Sequence, residues 1–228
     1  MPIYYICKMN DKKYTNGEEY LNSISHGVGA LMGLSVSIVF LTYAYKYGDN
    51  ITIMGFWLYL FGVVSSYIFS TLYHACPHSR PTCRRWLRKL DHSAIYWHIA
   101  ACYSPLTLVA MRDVGYWGWG IFFFCWIAAI AGTTVSLISL KKHNFIETAC
   151  YVLMGLTILV AIKPFYEHVD FWIFFWVLAE GVSYITGAVL YSLHKVKYIH
   201  SVFHFFVLLG DICHMIALWR LIEIYFLA

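Results

Sequence analysis

The sequence predicts an all-α membrane protein, a bundle of seven transmembrane helices with the N-terminus in the cytoplasm and the C-terminus outside. Three observations predict it. Of the 228 residues, 61% are hydrophobic and only 12% are charged, whereas a soluble domain carries about 25% charged residues. Apolar runs of membrane-crossing length recur along the chain, more often than one soluble core can absorb. Lys and Arg collect in alternate short connections, which is the pattern of a polytopic chain obeying the positive-inside rule.

Residues 1–17 read as a short polar cytoplasmic segment and 18–228 as the transmembrane domain. No basic region, apolar core and small-residue cleavage site follow one another at the start, so no signal peptide is expected. Thr15-Asn16-Gly17-Glu18-Glu19 has the form of a helix start, a capping hydroxyl followed by acids suited to the positive helix end. The spans are expected near 22–46, 51–74, 90–111, 115–139, 146–163, 170–193 and 199–227. The connection between the second and third spans, read as a basic loop, holds Arg80, Arg84, Arg85, Arg88 and Lys89. Lys141, Lys142, Lys195 and Lys197 lie in later connections on the same side, and Lys8, Lys12 and Lys13 precede the first span. The opposite side has Lys46, Arg112 and Lys163, offset by Asp49, Asp113, Glu167 and Asp170. This asymmetry sets the expected orientation and explains the net charge of +4 as a topology signal, with no nucleic-acid partner. The seven cysteines are an odd number, mostly inside apolar runs, and give no disulfide framework. Cys76 and Cys83 flank the basic stretch.

With that topology, residues distant in sequence share one leaflet. His74 ends the second span, Asp91 opens the third, and His200 and His204 open the last. His200 and His204 are one helical turn apart and present both rings from one face, as a chelating pair does. Ser70 stands one turn before His74. A single histidine near a membrane interface is ordinarily an amphipathic anchor, but ionisable groups within spans are costly, at roughly 2.5–3.5 kcal/mol for an Asp or Arg, and four at one depth point to a metal site.

The run Ser70-x-x-x-His74, the following Asp91, and His200-x-x-x-His204 resemble the hemolysin III family of the progestin and adiponectin receptor superfamily. Glu18-Glu19-x-x-Asn22-x-x-x-His26-Gly27-x-Gly29 and Tyr103-Ser104-Pro105 are similar to its bacterial branch. The resemblance covers nearly the whole chain and implies a multi-pass protein of the plasma (inner) membrane. It implies Zn2+ held by His74, His200 and His204, with Ser70 and Asp91 beside it. The chain departs from the animal receptors in its short N-terminus and in His92, where they have an aromatic residue.

Three imidazoles leave a zinc position open, the arrangement of a catalytic centre. Asp91 is then the candidate general acid and base, and Ser70 the candidate donor to a developing oxyanion. Superfamily relatives resemble the alkaline ceramidases, so the expected partners are membrane lipids and the expected substrate is a lipid amide or ester. A pore-forming cytolytic protein or channel is the first alternative, and a membrane-state sensor with a structural zinc the second. Asp211, His98 and Glu180 are expected to continue as a polar track toward the midplane. Glu19 and His26 are read as supports of the cytoplasmic end, and His78, His143, His168 and His194 as solvated loop residues. His214 lies off the His200/His204 face and is not expected to be a ligand.

Overall fold

The computed structural model describes residues 14–139, 145–193 and 196–228. Among the described residues every regular element is a helix, and there is no strand. Helix α1 spans Asn16–Tyr47, α2 Asn50–Ala75, α3 Pro81–Pro105 and α4 Trp117–Ser139. Helix α5, Phe145–Gly155, passes through a tightened turn, Leu156–Ala161, into α6, Ile162–His168, and the two halves make one crossing. Helix α7 spans Phe171–Ser192 and α8 Ile199–Ile222, with one wider turn, Glu223–Leu227, at its end.

Among the described residues, six helical segments are long and apolar enough to cross a membrane: Asn16–Tyr47, Asn50–Ala75, Trp117–Ile138, Ile146–His168, Phe171–Ser192 and Ile199–Leu227. Helix α3 is the exception, because its first turns carry Arg84, Arg85, Arg88, Lys89 and Asp91. It nevertheless packs between α2 and α4 and continues as a wider turn through Leu106–Ala110, all of it buried. The stretch read from sequence as a basic loop is therefore mostly helix. Pro81 occupies the first helical turn, where a missing N–H costs nothing, and only the residues from Cys76 to Arg80 connect α2 to α3.

Helix α1 also starts earlier than the expected span, at a complete capping box. The Thr15 hydroxyl accepts from the Glu18 amide at 3.3 Å, and the Glu18 carboxylate accepts from the Thr15 amide at 2.8 Å. At the opposite end of the bundle the Asp49 carboxylate caps α2 by accepting from the Thr52 amide at 2.9 Å, and it pairs with Arg112.

Large apolar side chains such as Leu31, Ile127, Ile130, Leu153 and Val182 face outward. Lipid is their solvent, so hydrophobicity alone does not hold the helices together. Small residues do part of that work. A Cβ on Gly62 of α2 would collide with Ala101 of α3 and with the backbone of Trp97, so only glycine allows α2 and α3 this approach. Gly29 lies under the Tyr67 ring, which a Cβ would meet at 2.6 Å.

In hydrocarbon, the tightened turn between α5 and α6 needs partners for its freed backbone groups. Tyr103 supplies them: its hydroxyl donates to Gly155 O at 2.6 Å and accepts from the Ile158 amide at 3.0 Å. Tyr103→Phe leaves both groups unpaired, and we expect it to destabilise the fold by about 1–3 kcal/mol. A lowered thermal unfolding midpoint in detergent is the expected readout, and an unchanged midpoint contradicts this role.

Candidate metal centre

The end of the bundle that carries the starts of α1, α3 and α8 and the end of α2 collects most of the polar side chains. On α1 the buried residues Glu19, Asn22, His26, Gly29 and Gly33 recur at intervals of three and four, so a polar and small stripe faces the interior. His74 comes from the last turn of α2, and His200 and His204 from the first turns of α8. His74 and His204 are fully enclosed, and His200 is half-buried.

The three rings converge through their Nε2 atoms. His200 Nε2 stands 3.2 Å from His74 Nε2 and 3.1 Å from His204 Nε2, and the three donor atoms lie within 4.8 Å of one another. The outer nitrogens explain this orientation. His74 Nδ1 lies 2.7 Å from Glu19 Oε2 and His204 Nδ1 3.3 Å from Asn22 O. Each Nδ1–H therefore donates outward, and each Nε2 turns its lone pair to the centre. Lone pairs facing one another at this distance require a cation or shared protons. Such imidazoles, held by a carboxylate and a carbonyl on their far side, are the donor set and outer support of a zinc site. The three histidines fit a divalent metal ion of the zinc class.

Glu19 is itself anchored. Arg84 of α3 donates to Glu19 Oε1, to Tyr73 O at 3.1 Å and to Cys76 O at 2.8 Å. His78 reaches Glu19 Oε1 at 3.4 Å, so it is a partner of the centre's supporting carboxylate and not simply a solvated loop residue. Asn22 links α1 to α8 by accepting from the Ser201 hydroxyl at 2.5 Å. The start of α8 is fixed further by Tyr198, in the left-handed region at φ 60°, whose amide donates to Glu18 Oε1 at 2.9 Å. Tyr14 stacks on His200 at 5.0 Å between centroids, and Tyr191 lies 5.5 Å from the same ring. Burial, and after it Tyr191, raises the Tyr14 hydroxyl above its ordinary pKa and keeps it protonated.

Of the residues singled out from sequence, the structure gathers His74, His200 and His204. Ser70 is buried on α2 one turn before His74. Asp91 is half-buried on α3, outside the three-histidine group, near enough to Tyr14, Tyr73 and Tyr191 to interact with them electrostatically. It borders the side of the centre where Tyr14 and Tyr191 flank His200. His143 and His194 lie outside the described residues. His168 is in a helical end and bonds to Pro164 O at 2.9 Å.

Deeper in the bundle, Asp211 accepts from the Tyr67 and Tyr184 hydroxyls and meets His98 Nε2 at 3.0 Å. Glu180 meets His214 Nδ1 at 2.8 Å, so His214, set aside on face geometry, is paired inside the core. His26 joins the two levels. Its ring stacks on His204 at 3.6 Å and lies edge-on to Tyr67 at 5.0 Å. Both its nitrogens are buried without a hydrogen-bond partner. Sequence reasoning gave Glu19 and His26 only a supporting role, although the spacing of the α1 stripe carried the signal.

The fold and this centre define a polytopic membrane protein with a buried three-histidine cluster near one end of its helices. A family model described as haemolysin-III related matches residues 14–215. The chain belongs to that family, within the progestin and adiponectin receptor superfamily. It is 36% identical to "Hemolysin-3" of Bacillus cereus over 194 residues, covering 85% of this chain and 87% of that protein. It is 29% identical to the "Hemolysin-3 homolog" of Bacillus subtilis (strain 168), over 87% of this chain and 91% of that one. The human "Monocyte to macrophage differentiation factor" is 24% identical, over 72% of this chain and 68% of its own length.

Because Glu19 contacts His74 Nδ1, Glu19→Gln is expected to weaken the binding of added Zn2+ about 10–100-fold while leaving the helix content unchanged. Competition against a chromogenic chelator measures this, and equal affinity in the variant would remove Glu19 from the centre.

Proposed function

We propose that the protein is a zinc-dependent hydrolase of lipid amide or ester bonds in the plasma membrane. The observation that carries this reading is the convergence of three Nε2 atoms whose outer nitrogens are already committed to Glu19 and Asn22. His74, His200 and His204 hold the ion, which when bound supplies Lewis acidity toward water and toward a carbonyl oxygen. Asp91 takes a proton from the attacking water and returns it to the leaving amine or alkoxide. Ser70 steadies the oxyanion or a ligand ring by hydrogen bonding. Exclusion of bulk water falls to Tyr14 and Tyr191, packed on His200. The basic residues Arg84, Arg85, Arg88, Lys89 and Lys197 at this end support a cytoplasmic position for the site.

A second reading has its own observation in support. The centre already ties α1 and α2 to α8, and Glu19 extends the tie to α3. A purely structural zinc would staple these helices without any turnover. The word "Hemolysin" in the Bacillus relatives' names supports a cytolytic reading, which dye leakage from liposomes tests directly.

For the purified protein in lipid nanodiscs, His204→Ala is expected to remove one equivalent of zinc relative to the unaltered chain. Asp91→Asn should keep that zinc and slow release of a fluorescent fatty acid from a short-chain ceramide or lipid ester by about 100-fold or more. Zinc binding without hydrolysis of any lipid amide or ester, in the presence of a native Asp91, decides for the structural reading.

A further inference from the structure

A second set of metal-binding donors occupies the core of the bundle, about 10 Å from the three-histidine centre, since Asp211 follows His204 by two turns on α8. The donor atoms of His98, Cys102 and Asp211 lie within 4.8 Å of one another, and so do those of Cys102, Glu180 and His214. The Cys102 thiol belongs to both groups. All five residues are buried, Asp211 and His214 to within 1% exposure. They come from α3, α7 and α8, so nothing local in sequence accounts for their meeting.

Their hydrogen bonding leaves room for a cation. His214 Nδ1 faces Glu180, while its Nε2 is buried without a partner. The Tyr59 hydroxyl is also buried without a partner, with its ring 5.5 Å from His214. Buried polar atoms left in this way call for an ion or a water. On the other side, the Ser66 hydroxyl donates along its own helix to Val63 O at 3.0 Å and stands 2.6 Å from His98 Nδ1. The Ser66 hydroxyl is also placed to donate to His98 Nδ1, and His98 Nε2–H donates to Asp211 Oδ1 at 3.0 Å. Asp211 also accepts from the Tyr67 and Tyr184 hydroxyls, which fix its carboxylate in place. These outer contacts resemble the supports that hold metal ligands in place.

Charge points the same way. Isolated carboxylates within a bilayer are expensive. Asp211, Glu180 and a Cys102 thiolate together bring three negative charges, of which one divalent ion offsets two, whereas the same ion on three imidazoles keeps its full charge. Thiolate, imidazole and carboxylate together suit a borderline-soft ion such as Zn2+ and do not suit Mg2+ or Ca2+.

We propose that these residues form a second metal site, taking one Zn2+-class ion through the Cys102 thiolate. The His98–Asp211 pair lies on one side of it and the Glu180–His214 pair on the other. Cys102 is common to both groups of donors, and the site takes one ion. Binding converts the Cys102 thiol to thiolate and releases its proton to solvent.

The two sites differ in chemistry, which makes them separable. The three-histidine centre offers only nitrogen, so a sulfur signal reports the core site alone. The full chain in nanodiscs, with Cys76→Ser and Cys83→Ser to remove the two thiols flanking the α2–α3 connection, is titrated with Co2+. Two equivalents and a near-ultraviolet thiolate-to-cobalt band are expected. Cys102→Ser should lose the band and one equivalent, and His204→Ala should lose the other equivalent and keep the band. X-ray absorption of the zinc-loaded chain should show one sulfur at about 2.3 Å. Absence of the band in a folded chain that still binds His204-dependent cobalt overturns the core site and leaves the hydrolase reading standing. A band that survives Cys102→Ser overturns it as well. If Cys102→Ser does not fold, the presence or absence of sulfur around zinc in the unaltered core decides the question.

Discussion

One buried carboxylate organises the functional end of this molecule. Glu19 accepts from His74 and from Arg84, and through them α1 holds the end of α2 and the start of α3. An anion enclosed among helix ends is costly unless every lone pair has a donor. Here imidazole, guanidinium and the nearer nitrogen of His78 provide donors. The arrangement has a chemical result, because the proton that His74 gives to Glu19 is the proton its inner nitrogen lacks. Structural satisfaction of Glu19 and metal competence of His74 are therefore the same hydrogen bond.

The polar groups form a column and not scattered pairs. His26 stacks between His204 and the edge of Tyr67, Tyr67 donates to Asp211, and Cys102 lies between Asp211 and Glu180. Against this column the surrounding helices pack small residues, Gly29 under Tyr67 and Gly62 against Ala101, so the backbones close tightly around it. Ionisable groups that no solvent reaches are kept ionisable only by one another, and close packing excludes the water that would otherwise screen them.

Much of this was legible in the sequence. The bundle followed from repeated apolar runs, and His74, His200 and His204 from their position at span ends together with the four-residue spacing on α8. Helix α3 was the hardest element to delimit. Charges spread over its first turns read as a loop, yet Arg84 points inward and is consumed by Glu19 and two carbonyls. Glu19 was obscured by a sufficient simpler explanation, because an acid in a first helical turn needs no partner beyond the helix itself. His214 stays outside the three-histidine group, as its face on α8 indicated, but its partner, Glu180, comes from α7, and face geometry on α8 alone carries no information about α7.

The clamp between Glu18 and the Tyr198 amide joins residues near opposite ends of the chain. A ribosome delivers α1 and α2 first, so Glu19, Asn22 and His74 are in the membrane long before α8 exists. Until α8 arrives, His74 has neither histidine neighbour, and Asn22 lacks both Ser201 and His204. The centre therefore closes only once α8 has been inserted, and a chain arrested before α8 carries one of its three histidines.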